Sequence, residues 1–377
     1  MEDSNEFWKF LDEIDFKAIP PDAPQLLKKW PNRKPPKNFE WWGPTPEEAR
    51  KTRVSKQKHL YDKRMSLSEA VKRYIVKMSK KNKRGINIGI GGFVNTRLPV
   101  AIAHEIIRQG VKDITLSYQS CGYVQDILIG AMLVDENHVS VKRIEHAWAG
   151  HELLGLAPCF RYALEKGLIE IDDYSNYGMS ARFKAGAMGI PFIPVRDHLG
   201  SSMQYVNRGI PIKCPYTGEN VYLLPACHPD VAIIHVQAAD KFGNSRIFGQ
   251  LCTCPEIALA ANSTIITCER IIPNEEIRKY PNLTEIPFFA VDAVVEQPWG
   301  AYPTACWGFY WYDLEHLRDE WIRAGNEFRK TGKIDPLEEY FNKYIFEVES
   351  FDDFIGNIPY KKLKRLIELD GHQPVIL

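Results

Sequence analysis

Apolar and polar positions along this chain alternate between two rhythms. Leu67, Ala70, Val71, Tyr74, Ile75 and Met78 recur at three- and four-residue intervals, which puts them on one face of a helix. Ser66-x-x-Glu69 just ahead is a capping box and marks where a globular domain starts. A short apolar run, Ile86–Ile90, then ends in Gly91-Gly92-Phe93, and a helical pattern follows that Pro99 can open and Gly110 can close. Ile114–Tyr118 reads as another short strand. Strand, glycine turn, helix and strand within about 30 residues make a βαβ unit, and such units build parallel sheets.

The alternation continues. Gln125–Leu133 predicts a helix, Val139–Trp148 a strand, Pro158–Gly167 and Gly178–Gly189 helices, and Pro191–Val195 a strand. Val231–Gln237 is a nearly continuous apolar run, as expected of a strand covered on both faces, and Ser263–Cys268 and Val291–Glu296 repeat it. Past Tyr312 the chain turns polar and helical over Asp313–Lys330 and Leu337–Tyr344. The expectation is an α/β fold, an open and largely parallel sheet flanked by helices, over residues 66–377. Residues 1–65 differ. Eight prolines from Pro20 to Pro46 forbid a long helix or central strand, and Trp30, Trp41 and Trp42 supply aromatic anchors. This stretch reads as an extended arm packed on the body or a neighbour, or else as a disordered tail.

Composition narrows the classes. Formal net charge is +0, so nothing biases the whole chain toward nucleic acid or an anionic membrane. Locally, Arg50–Arg84 holds fourteen Lys or Arg against Asp62 and Glu69. That run is either a solvated helical face or a surface for an acidic partner or phosphates. No run of about 18 apolar residues occurs, so no transmembrane helix is expected. The acidic start MEDSNEFWKFLDEID lacks a secretory pattern, which makes the cytoplasm the expected location. Among eight cysteines the one tight pair is Cys252-x-Cys254, and no zinc-type CxxC occurs. Reduced, structural thiols and no metal are expected.

The glycine pair alone permits either a tight turn or a ligand loop whose N–H groups face outward. A dinucleotide fingerprint fails at Val94, and neither a P-loop nor a G-x-S-x-G elbow occurs. Gly91-Gly92-Phe93-Val94-Asn95-Thr96-Arg97-Leu98-Pro99 resembles the GGF-xxx-G-x-P signature of family I coenzyme A transferases. Arg97 replaces the second glycine, as in A subunits of the glutaconate type. Further blocks follow in family order: Gly189–Val195 with Gly200-Ser201-Ser202, Asp230–His235 with Asp240 and Gly243-Asn244, Thr267-Cys268-Glu269, and Val291–Val295.

This resemblance implies a CoA-transferase fold and a ping-pong exchange of CoA between an acyl-CoA thioester and a carboxylate. Coenzyme A would be a substrate, with no permanently bound cofactor. The family's catalytic glutamate sits in an S-E-N-G motif, and no S-E-N occurs here. The resemblance therefore places no catalytic residue in this chain, and implies a B-type partner in a heterodimer or heterotetramer. Gly91, Gly92 and Phe93 would line the cleft. Arg97 either pairs with a substrate carboxylate or CoA phosphate, or anchors the loop. Tyr118, Gln119 and Ser120 end the next strand, where ligands of open α/β sheets gather.

His151 and Glu152 stand where the glutaconate type has an Asn/Ser-containing loop, and would set selectivity. Glu152 alternatively is a solvated or capping acid, and Gly200, Ser201 and Ser202 bind an anion or form a turn. Tyr118, Tyr123, Trp148, Trp299 and Trp307 either favour a bulky acyl group or belong to the core. A second reading is the A subunit of a related ring-opening hydrolase with Glu152 as base; the acid of that group aligns here with Tyr177. A third, a ligand-sensing module, would need a helix-turn-helix that the proline-rich arm cannot form.

Overall fold

The computed structural model describes residues 44–55 and 59–371. In chain order the strands are β1 (Ile86–Ile90), β2 (Val111–Ser117), β3 (Ser120–Cys121), β4 (Val139–His146) and β5 (Trp148–His151). Then come β6 (Gly155–Leu156), β7 (Glu170–Asp173), β8 (Phe192–Val195), β9 (Ile210–Lys213) and β10 (Asn220–Pro225). The last are β11 (Val231–Ala239), β12 (Ser245–Arg246), β13 (Ser263–Ile271) and β14 (Ala293–Glu296). The central sheet runs β14-β13-β11-β1-β2-β4-β7 with every neighbour parallel, and β12 adds antiparallel to β11. This is the open, largely parallel α/β sheet that the apolar runs predict.

Alternation along β11 shows how the two faces are filled. Val231 and Ile233 join one core cluster, while Ala232, Ile234 and Val236 join the other. The first face is covered by α4 (Val100–Gln109), α5 (Tyr123–Val134), α6 (Pro158–Glu165) and C-terminal helices carrying Trp321, Phe341 and Phe354, so the chain past Tyr312 is a cover for the sheet. The second face is covered by α7 (Asn176–Met188) and α8 (Cys254–Ala260), through Phe183 and Ile257. Gly110 and Gly189 end α4 and α7 in the left-handed conformation, at φ 71° and 74°.

Ahead of the sheet, α1 (Pro46–Ser55) starts at the last proline of the arm, whose residues 1–43 lie outside the described residues. A short helix α2 (Leu67–Val71) passes through a π turn into α3 (Lys77–Lys81). Ser66 caps α2 by accepting the Glu69 N–H at 3.2 Å. Lys72, Arg73, Lys77, Lys80, Lys81 and Lys83 lie along this basic run, while Ala70, Val71 and Ile75 turn inward. Residues 63–65 already join the sheet: Val294 N–H donates to the Lys63 carbonyl at 3.0 Å and Met65 N–H to that of Val294 at 3.1 Å. No helix among the described residues is long and apolar enough to cross a membrane.

Two expected strands change role. The run Val139–Trp148 breaks at Ala147, because the N–H groups of Ala147 and Trp148 both turn to the Gln119 carbonyl, at 3.0 and 3.2 Å. Phe192–Val195 leaves the central sheet and pairs antiparallel in a side sheet, β8-β10-β9. The β9–β10 hairpin, with Pro211 and Pro225, was not expected from its pattern; proline is confined to sheet edges and strand ends, and a three-stranded side sheet offers both.

Candidate functional site

The carboxyl ends of β1, β2 and β4 carry three strips of chain that knit together sideways. Phe93 and Thr96 exchange backbone bonds of 2.9 and 2.8 Å, so Val94 and Asn95 form the tip of a two-residue hairpin. Val94 holds a left-handed φ of 50°, rare for a β-branched residue, and Arg97 one of 51°. Val94 N–H donates to Ser120 at 3.0 Å, and β3 pairs parallel with β5, which turns back antiparallel as β6. The result is a small second sheet laid across the ends of the large one.

The glycine loop does not present its amides as its sequence suggests. Gly91 N–H donates to Ile233 at 2.9 Å, Gly92 to the Cys254 sulfur at 3.2 Å, and Arg97 to Ala305 at 2.7 Å. With Phe93 and Thr96 bonded in the hairpin and Val94 to Ser120, six of the seven N–H groups from Gly91 to Arg97 are satisfied inside the fold. Asn95 alone has an N–H without a bond to a described residue. Its side-chain oxygen is buried and also lacks a partner. This residue escaped the motif-based reading, because its position in the signature is variable; the unspent hydrogen-bonding capacity is visible only in three dimensions.

Arg97 is fully buried, so of its two expected roles the placement favours anchoring the loop over meeting a substrate carboxylate or phosphate. It donates to the carbonyls of His235 and Gln250, and lies 3.7 Å from the Cys254 sulfur, so it anchors the loop. Beneath it, the His235 ring bonds Thr267 at 2.9 Å and Glu269 at 2.8 Å. Glu269 also accepts from Tyr310 at 2.5 Å and from the Trp299 N–H at 2.8 Å. His235, Glu269 and Cys306 bring ligand atoms within 4.8 Å of one another. The carboxylate is already occupied by three partners, so the cluster serves as a hydrogen-bonded brace under the loop.

Gln119 and Ser120 lie as expected beside the loop. Ser120 donates to the Asn176 side chain at 2.7 Å, and the Gln119 amide reaches the Asn176 carbonyl at 3.4 Å. Asn176, at the start of α7, stands beside Tyr177, the position aligned with the acid of the ring-opening hydrolases. Tyr118 points into the core instead, edge-on to His146, with its hydroxyl unpartnered and its pKa pushed up by burial. It follows the last residue of β2, and the loops close over it.

His151 and Glu152 do not form a pair. The imidazole is buried with both nitrogens unpartnered, and desolvation lowers its pKa to about 4, so it is neutral. Glu152 stands exposed at the tip of the β5–β6 hairpin, with no bond to a described residue, next to Leu153. Gly200 is open, with a left-handed φ of 73°, while the Ser201 hydroxyl donates to the His198 carbonyl at 2.8 Å and Ser202 opens a 3₁₀ turn. Local turn chemistry accounts for the first two. Among the aromatic side chains expected near the cleft, Tyr118 and Tyr123 are core residues and Trp299 stacks on Tyr310 at 4.2 Å. Trp307 packs against Gly249, and Trp148 is the exposed one.

Loops at the carboxyl ends of a parallel sheet are where α/β enzymes hold their ligands, and this set of loops lies there. Residues 71–297 match the family model described as Coenzyme A transferase. The chain belongs to that family. It is 35% identical over 298 residues to the A subunit of 3-oxoadipate CoA-transferase from Pseudomonas knackmussii, covering 78% of this chain and 97% of that one. It is 31% identical over 325 residues to the A subunit of glutaconate CoA-transferase from Acidaminococcus fermentans, covering 81% of this chain and 95% of that one. The crystal structure of that transferase matches with a TM-score of 0.70 over 81% of this chain and 95% of its own. The IpdA subunit of a cholesterol ring-cleaving hydrolase from Mycobacterium tuberculosis is 29% identical over 268 residues, 68% of this chain and 86% of that one.

Proposed function

We propose that this chain is the A subunit of a heteromeric enzyme that moves CoA between an acyl-CoA thioester and a free carboxylate, with a B-type partner supplying the catalytic glutamate. The observation that carries this reading is the cleft wall itself. Its three strips are locked together by backbone bonds, yet among the described residues they bring no activated nucleophile to the surface. Ser120 is tied to Asn176, and burial pushes the Cys252 thiol up to about 12. The names of the A-type relatives support a two-subunit arrangement.

In this mechanism the partner's glutamate oxygen attacks the thioester carbonyl carbon. The C–S bond breaks, CoA leaves as thiolate, and an anhydride joins acyl group and glutamate. The thiolate then attacks the glutamyl carbonyl, which releases the acyl group as carboxylate and leaves a glutamyl-CoA thioester. An incoming carboxylate reverses both steps. Gly91, Gly92 and Phe93 shape the wall against which the thioester lies. Gln119 and Ser120 with Asn176 border it on one side, and the Gly200–Ser202 turn completes the rim. His151 supports the wall from within, which makes it a selectivity residue through packing and not through contact.

The test is to look for a B-type subunit encoded near this chain, purify the two together and trap the complex with acyl-CoA plus hydroxylamine or borohydride. We expect modification of a glutamate on the partner and none on this chain. Transfer by the isolated chain overturns the proposal. Hydrolysis or ring opening of acyl-CoA without any modified glutamate puts the hydrolase in its place. Glu152, the acid that reading relies on, is exposed and bonded to no described residue that would tune it as a base.

A further inference from the structure

A groove of about 700 Å³ lies at the end of the sheet away from the cleft wall. It runs past the last residues of α7 and α8 and along a 3₁₀ turn, Phe288–Ala290. β13 and β14 begin just beyond α8 and that turn, so the groove sits at the amino ends of the strands. Met188, Leu259, Phe288 and Phe289 give it an apolar lining, and α1 adds Arg50 and Val54. Those two are one turn apart and share a helix face. Val54, Met188 and Phe289 are 61%, 63% and 50% exposed. Large apolar side chains grouped in this way mark an interaction surface.

The sequence ahead of α1 is suited to cover it. Thr45 and Glu48 form a capping box: Thr45 N–H donates to the Glu48 carboxylate at 2.8 Å, and Glu48 N–H to the Thr45 hydroxyl at 3.3 Å. The point where the chain enters α1 is thereby fixed, one helical turn before Arg50. Just upstream stand Phe39, Trp41 and Trp42, joined to Thr45 by Gly43-Pro44, a turn-forming dipeptide. Four links separate Trp42 from Pro46, a reach of about 14 Å, and Arg50 lies only about 6 Å along the helix. Each tryptophan has about 150–250 Å² to bury, and a groove of this volume takes more than one indole. The guanidinium of Arg50, held by Glu47 at 2.8 Å, adds a cation suited to an indole face. Eight prolines from Pro20 to Pro46 limit the freedom that this segment loses on docking. Lys63 donates to the Phe288 carbonyl at 2.6 Å, so the chain after α1 returns to the same turn.

We infer that residues 39–42 of this chain seat in the groove, with Trp41 and Trp42 packed between α1, the ends of α7 and α8, and the Phe288–Ala290 turn. The arm then clasps the sheet at the end opposite the cleft wall, and its seat is separate from the substrate site. The inference holds whichever reaction the enzyme performs.

The experiment places p-benzoylphenylalanine at position 42 of the full-length chain, irradiates it, and maps the cross-linked peptides by mass spectrometry. Cross-links within one chain to residues 187–189, 258–261 or 288–290 are expected. Adding Met188→Arg, at an exposed position of the lining, should lower their yield about tenfold, because seating the arm then desolvates a charge. An unchanged yield overturns the inference. Cross-links between two copies, or to a partner subunit, overturn it by giving the arm another seat. Products confined to residues 44–55, which neighbour the probe in any conformation, overturn it as well. If the position-42 variant does not fold, the probe moves to the half-exposed position 289. The expected product then joins position 289 to residues 39–42, and its absence overturns the inference.

Discussion

At the β1 end of the cleft wall, the Gly91–Arg97 loop commits six of its seven N–H groups internally and rests on Arg97, Cys254 and the His235–Glu269 brace. Farther along the same wall, the β5–β6 hairpin is tied to the rest of the described residues only along β5, through β3, with Leu153 exposed at its tip and His151 unpartnered behind it. Both strips sit at strand ends and both were expected to meet substrate. The difference lies in how much of the fold each must displace to move. A braced loop can hold a donor within tenths of an ångström, which chemistry demands. A lightly tied hairpin accepts sequence change, which suits selectivity or partner contact.

Matched glycine substitutions break this comparison most sharply. A Cβ on Gly92 would lie 2.6 Å from the Arg97 carbonyl oxygen, and its φ of 82° already strains an L-residue. The obstructing atoms are backbone, so Gly92→Ala should cost about 3 kcal/mol or more and abolish activity of the complex. Gly155, in the hairpin, has a similar φ of 92°, yet nothing lies within 4 Å of its would-be Cβ. Gly155→Ala should cost only about 1 kcal/mol, from the backbone conformation alone. Urea unfolding of both variants measures the gap; equal losses would show that the hairpin is braced as firmly as the loop.

Acid should next find the hairpin side. Burial holds the folded-state pKa of His151 at about 4 against an ordinary 6.5, so the unfolded chain takes up its proton first. Stability owed to the neutral ring is complete above pH 6.5 and drains away as pH falls toward 4, by about 3 kcal/mol in all. His316, bonded to Tyr340 among the C-terminal helices and also lowered to about 4 by burial, titrates with the same sign. Unfolding free energy followed over this range should therefore drop on acidification. In His151→Gln the slope should be shallower by about 1.4 kcal/mol per pH unit, and an unchanged slope would place His151 in contact with water.

Much of this architecture is written in the apolar pattern. Val231–Ala239 is buried at every position, so continuous hydrophobicity identified the sheet interior directly. The loop–helix–strand order around Gly91–Gly110 was equally legible, because glycine and proline act through local backbone geometry. The site was legible by place and less so by role. Arg97 carries the same charge whether it faces ligand or carbonyls, and only the positions of His235 and Gln250 in space decide. Asn176 stands out through the Ser120 and Gln119 bonds that converge on it, and Asn95 through what its neighbours leave unbonded; no spacing records either. The β9–β10 hairpin stayed hidden because its prolines read as breakers until the small side sheet that holds them is known.

The smallest effect is the most discriminating one for mechanism. Glu152 is exposed and bonded to no described residue, so Glu152→Gln should change stability by less than about 0.5 kcal/mol. A base that abstracts a proton contributes about 10²–10⁴-fold, and removing its charge while keeping its shape would expose that contribution. If the wall only positions substrate for a partner glutamate, kcat of the complex should stay within about threefold. A hundredfold loss at unchanged stability would instead move the chemistry from the braced end of the wall to the hairpin, and with it the case for hydrolysis. Exposure argues against that outcome, because the Glu152 carboxylate has no fixed neighbour among the described residues to aim it.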